Sequence, residues 1–317
     1  MRMRGPVFLL LAAVWWSHPT FAQDNAQHSL NSPDDGILLM AHGGGKDWND
    51  SVRSIAIELD RQMPTELALG MADRTALQEG INKLVARGVK QICVVPLFVS
   101  SHSSIIESAR YLLGLRSDAP KGLADSAMAH GLQGMSGAVT SDTSTGKAPT
   151  LSPPVKSPVP LRMTPALDRH PIVAEILSDR AAAIARNPSR DVLILVAHGP
   201  NEDEENVQWL ADMSALASRI AAHTTYARID CVTLRDDADA PVKDKATAEL
   251  RAHVQAADEA GYHVLIVPLF LSYGGIDNSL RQRLDGLEHT MSPQALLPDP
   301  RIAQWVLENV QATNARR

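Results

Sequence analysis

Three histidines stand where their type and spacing could carry chemistry. His42 closes the apolar run Ile37-Leu38-Leu39-Met40-Ala41 and is followed by Gly43. His198 closes a second copy, Val192-Leu193-Ile194-Leu195-Val196-Ala197, and is followed by Gly199. His102 lies in Ser100-Ser101-His102-Ser103, just after the run Cys93-Val94-Val95-Pro96-Leu97-Phe98-Val99. Neutral imidazole binds first-row divalent ions and exchanges protons near neutral pH. A short apolar run ending in Gly reads as a strand buried on both faces, so each His hangs at a carboxyl edge of a sheet. That edge is where open α/β sheets bind ligands. If the strands before His42 and His102 are neighbours, two imidazoles share one edge and make a site for a divalent metal. A single such His would more readily cap a loop.

The second copy is not equivalent. It has Gly274 where the first has His102, so a second pair is missing. His198 either faces a shared cleft or is a structural relic of duplication. The acids after it, Glu202, Asp203, Glu204 and Glu205, suit a helix N-terminus. The sharper alternative is that one of them, with Glu202 the first candidate, lines the cleft as a proton acceptor. Gly43-Gly44-Gly45-Lys46 lacks the spacing of a phosphate loop, and no nucleotide is expected. Gly-x-Ser-x-Gly, zinc-type Cys/His spacing and Cys-x-x-Cys-His are all absent.

The elements behind these residues are written twice. Cys93–Ser100 is echoed by Leu265–Ser272. His42 and His198 are 156 positions apart, Pro96 and Pro268 172, Leu167 and Leu297 130. The second repeat therefore gains 16 residues around Asp236–Asp244, and the first carries 42 extra after its third strand. Strands alternate with amphipathic stretches, which demands parallel pairing and helices on both sheet faces. The expected architecture is α/β, two similar doubly wound parallel-sheet domains related by internal duplication, over 36–187 and 188–317. The last strand is expected at Gln294–Leu297 and the helix before it at Asn278–His289. Residues 118–158 are rich in Gly, Ser, Thr, Ala and Pro, and are expected to form a disordered insertion. His130 within it is given no role.

Residues 1–22 read as a secretory signal peptide. Arg2 and Arg4 precede an apolar run too short to span a bilayer, and Thr20-Phe21-Ala22 is a small-residue cleavage site. The mature protein is expected in the periplasm or secreted, with no stable membrane insertion. The net charge of −6 becomes −8 once Arg2 and Arg4 leave with those residues, which hold no acidic side chain. That argues against nucleic acid as a partner. The two cysteines, Cys93 and Cys231, lie in apolar runs and are expected to be buried free thiols.

Together, Ala-His-Gly after strand one, Val-Pro-Leu-Phe-Val-Ser-Ser-His after strand three, and Asp-Arg-His-Pro or Pro-Asp-Pro-Arg opening the last helices resemble the CbiX-type sirohydrochlorin chelatases. These are class II, ATP-independent tetrapyrrole chelatases. The resemblance covers nearly everything after Gly36 apart from the two insertions. It implies two chelatase-like domains facing across a cleft, with a tetrapyrrole between them and a divalent metal (Co²⁺, Fe²⁺ or Ni²⁺) as substrate. It implies that His42 and His102 handle the metal. The family often carries an acid four positions after the second His. Here that position is Ile106, and Glu107 follows it. Duplication supplies both halves that a one-repeat chelatase would gain by dimerising, so a monomer is expected. Sequence leaves one alternative standing, an exported protein of this fold that binds metal or tetrapyrrole without turnover.

Overall fold

The computed structural model of the chain describes residues 34–120, 139–140 and 150–315. Two four-stranded parallel sheets organise them. The first holds β1 (Asp35–Ala41), β2 (Thr65–Leu69), β3 (Gln91–Pro96) and β6 (Leu161–Met163), in the order β2-β1-β3-β6. The second holds β7 (Asp191–Ala197), β8 (Arg228–Thr233), β9 (His263–Leu269) and β10 (Thr290–Met291), in the matching order β8-β7-β9-β10. Each repeated run is thus the second strand of its sheet, paired on both edges and buried throughout. β4 (Val139–Thr140) and β5 (Thr150–Leu151) form a separate antiparallel pair. The helices are α1 (Lys46–Asp60), α2 (Arg74–Ala86), α3 (Ser104–Leu112), α4 (Pro171–Ala182), α5 (Asp203–Ala221), α6 (Ala240–Glu259), α7 (Ile276–Arg283) and α8 (Arg301–Ala315).

Strand alternation divides the core. Ile37, Leu39 and Ala41 of β1 join Leu193, Leu195 and Ala197 of β7 in one apolar cluster, which α1, α4, α5 and α8 fill between the sheets. Leu38 and Met40 face the other way, onto α2 and α3. Val192, Ile194 and Val196 do the same onto α6 and α7. Cys93 and Cys231 are free, and burial pushes both thiols up to about 12.

The halves exchange helices. α4 follows the first sheet in sequence but packs on β9 and α5 of the second. There Arg180 Nε donates to the Ala295 carbonyl at 3.0 Å, and its guanidinium meets Asp299. α8 follows the second sheet and packs on α1 and β3 of the first. Its Asn314 Nδ2 donates to Asp35 Oδ2 at 2.7 Å. Trp305 of α8 is 0% exposed in the shared core. Truncating such a tryptophan costs about 3–5 kcal/mol, so α8 is a substantial part of the first half's stability.

Three expectations are corrected. Gln294–Leu297 is not a strand, although Ala295, Leu296 and Leu297 are buried. The Ser292 hydroxyl accepts from Gln294 N and donates to its carbonyl, turning the chain off the ladder after β10. α7 stops at Arg283, well short of His289, and Gly286 with φ +75° marks the turn beyond it. The carboxyl end of the stretch expected to be disordered is packed. Val155 N donates to Leu112 O at 2.7 Å, and the Gln78 amide pairs with both backbone groups of Lys156 at 2.8 Å. Residues 1–22, expected to be a signal peptide, and His130 lie outside the described residues, as do 121–138 and 141–149. Among the described residues no helix is long and apolar enough to cross a membrane.

Candidate active site

β1 delivers His42 at its carboxyl end, and the neighbouring β3, in register at Met40 and Pro96, leads to the loop that holds His102. Gly43 and Gly199 both turn the chain with positive φ, +86° and +74°, which explains why each histidine precedes a glycine. His42 Nδ1 lies 2.6 Å from its neighbour's carbonyl, Gly43 O. A carbonyl can only accept, so Nδ1 carries a proton, and in the neutral ring the lone pair is on Nε2. The exposed ring meets Trp48 of α1 edge-on, with centroids 6.4 Å apart.

Each serine around His102 has a task. Ser100 Oγ accepts from His102 N at 3.1 Å, and Ser103 caps α3 by accepting from Ile106 N. Ser101 is held by Asp168, whose carboxylate takes its backbone N–H and, at 2.8 Å, its hydroxyl. Asp168 has φ +44°, a left-handed conformation costly for a non-glycine residue, and these bonds fix it.

The second half completes the surroundings of His102. Trp209 Nε1 of α5 donates to His102 O at 2.7 Å. One turn on, Asp212 Oδ2 lies 3.7 Å from His102 Nε2. Asp212 is 9% exposed, and Oδ2 is buried with no hydrogen-bond partner. Burial first, and then the charge of Asp168, raise its carboxyl above the usual range. Arg169 approaches the other oxygen at 3.6 Å. The reverse contact is made by Trp48. A Cβ placed on Gly274, the counterpart of His102, would lie 3.3 Å from Trp48 Cδ1. Trp48 and Trp209 are counterparts: 48/209, 52/213, 55/216 and 59/220 all share an offset of 161. Each tryptophan therefore reaches the loop of the opposite half.

A cleft of about 540 Å³ opens beside His102, lined by Ser101, Glu107, Arg110, Leu115, Arg116 and Asp118. Glu107 thus shares a cleft with His102, and Arg116 is paired to it. Glu202 does not line this cleft. It precedes α5 without capping it and acts on Glu205 instead. Glu205 is raised by burial and then by Glu202, and it lies within electrostatic reach of His102 and Glu107.

His198 differs from His42. Its Nδ1 also meets its neighbour's carbonyl, Gly199 O at 2.7 Å, but Nε2 lies 3.3 Å from Asp237 Oδ2. Both partners accept, so the imidazolium form, which donates from both nitrogens, is favoured here. Burial lowers its pKa, but Asp237, the Gly199 carbonyl and Asp236 together outweigh burial and the net direction is up. When protonated, such a ring has no lone pair for a metal. Around it, Arg235 binds the Pro200 and Asn201 carbonyls, and Arg283 binds Asp236.

Sequence reasoning passed over Asp212, Asp168, Trp48 and Trp209. Asp212 was detectable as a lone acid on the face formed by Trp209, Met213, Leu216 and Ile220. The tryptophans would have emerged from aligning α1 with α5.

Residues 36–114 match the CbiX family. The sirohydrochlorin cobaltochelatase of Methanothermobacter thermautotrophicus is 29% identical over 91 residues, which are 28% of this chain and 64% of that protein. Among solved structures, SirB from Bacillus subtilis with Fe³⁺ superposes with a TM-score of 0.56 at 15% identity, over 88% of this chain and 95% of SirB. The sirohydrochlorin chelatase SirB from B. subtilis subspecies spizizenii, in complex with cobalt, gives 0.52 at 14% identity over the same shares. At these identities the likeness shows a common fold.

Proposed function

We propose, taking as premise that residues 36–114 belong to the CbiX family, that this chain is a chelatase. It inserts a divalent ion, Co²⁺ or Fe²⁺, into sirohydrochlorin or a related tetrapyrrole without a nucleotide. The observation that carries this is the His42 ring at the β1 edge, with Nδ1 engaged by backbone and Nε2 left as a donor, beside the strand that leads to His102. His42 and His102 hold the metal substrate. Among the described residues no group of three or more His, Cys, Asp or Glu gathers as a metal cage. Two imidazoles alone suit an ion that must be handed on rather than kept. The macrocycle loses two protons on metallation, and Glu107 and Glu205 near His102 supply carboxylates to receive them. Arg110 and Arg116 place positive charge in the same cleft for an anionic substrate. The pattern of residues 1–22 supports action outside the cytoplasm after cleavage behind Ala22, and the duplicated halves support a monomer.

Co²⁺ titration of the wild type, His42→Ala, His102→Ala and the double variant tests the site. Each single variant should bind about 10–100-fold more weakly. The double variant should add little, because ligands of one ion are not independent. Binding should fall below about pH 6, where protons compete for imidazole. Single variants that bind like wild type would overturn the site. Metal-dependent change in sirohydrochlorin absorbance by purified protein tests turnover, and stoichiometric binding without turnover would make the chain a carrier.

A further inference from the structure

We propose that Asp212 is a positioning residue for His102, and that it makes the two histidines present different nitrogens to the ion: Nε2 from His42 and Nδ1 from His102. This rests on the reading of His42 and His102 as the metal-handling pair.

Asp212 occupies an apolar helix face between Trp209 and Met213, where an acid is expensive unless something requires it. Its Oδ2 is buried and has no hydrogen-bond partner. An N–H placed to serve that oxygen would be His102 Nε2–H, now 3.7 Å away. Trp209, one turn earlier on the same helix, already grips the His102 carbonyl, so α5 holds the residue at its backbone and faces its ring. Histidines that bind metals donate their other ring N–H to a carboxylate or a backbone carbonyl, which fixes tautomer and orientation. His42 uses the Gly43 carbonyl through Nδ1. His102 uses a carboxylate through Nε2, leaving Nδ1 free. The carboxylate comes from the other half of the chain, so the first half's site is incomplete without the second. The counterpart of Asp212 on α1, by the same offset of 161, is Ser51, which donates to its own helix at Asp47 O. The second half, lacking a counterpart of His102, lacks this device too.

The test uses the full chain with ¹⁵N-labelled histidines at about pH 8, where free imidazole is neutral. Spectra are recorded metal-free and with Zn²⁺ as a diamagnetic probe. In the metal-free wild type and in Asp212→Glu, His102 should show a solvent-protected Nε2–H, and Asp212→Leu should lose it. On adding Zn²⁺, the coordination shift should fall on Nδ1 of His102 and on Nε2 of His42. Asp212→Leu should bind Zn²⁺ about 10–100-fold more weakly while melting no lower than wild type. A Zn²⁺ shift on His102 Nε2, or an unprotected Nε2–H in the wild type, would overturn the proposal without help from any variant. Equal Zn²⁺ affinity in Asp212→Leu would do so as well. If the wild type binds no Zn²⁺ yet shows the protected Nε2–H that Asp212→Leu loses, the His102–Asp212 contact stands and the metal reading fails.

Discussion

His42 and His198 end equivalent strands and touch equivalent carbonyls, and they part at the second nitrogen. What separates them is Asp237, which lies in the loop after β8. The sequence placed all 16 extra residues around Asp236–Asp244, but the offset is already 161 at Trp48/Trp209 and 164 at Leu69/Thr233, so the gain is spread along the half; the contact with His198 was hidden because contact across a loop leaves no periodic trace. The consequence is measurable. The folded-state pKa of His198 is raised, so its contribution to stability is fully present below the unfolded value of about 6.5 and is lost as pH rises through the folded value. Asp237→Asn should therefore melt below wild type at about pH 5.5, with the gap closing in alkali. Melting curves across that range decide it, and a gap that widens with pH would sink the assignment.

Element by element, the apolar strands were legible because burial on both faces writes an unbroken run, as in β1 and β7. The short edge elements were not. β10 is two residues long, and a serine hydroxyl, rather than hydrophobic pattern, ends the ladder there. Residues 152–158 were misread for a related reason. They are recognised largely through backbone, by Gln78 at Lys156 and by Arg74 Nε at Pro153 O, 2.7 Å, so composition gives little sign of it. Replacing 121–149 with a short Gly/Ser linker should leave the melting temperature nearly unchanged. Extending the deletion through 158 should cost about 1–3 kcal/mol, from the lost bonds and from uncovering the apolar cluster on which Val155 packs. That corresponds to about 2–4 °C per kcal/mol for a chain of this size. Equal melting of the two deletions would show that the packed end contributes nothing.

At the scale of the molecule, duplication was plain in the sequence, but the exchange of helices was not, since α4 and α8 would look the same packed on either sheet. Exchange predicts that 36–187 and 188–317, produced separately, will each lack a cooperative melt, because each leaves bare the sheet face that the other's helix covers. Mixing them should restore the melt, and a sharp transition in either piece alone would contradict the shared core. The crossed tryptophans carry the point further. Two identical subunits about a twofold axis must offer each other the same loop, so a histidine placed in one is placed in both. A covalent tie removes that obligation. Here the loop at Gly274 closes against Trp48, while the loop at His102 keeps its imidazole and faces Asp212. One rim is free to keep an imidazole while the other closes against a tryptophan, a division of labour denied to any symmetric pair.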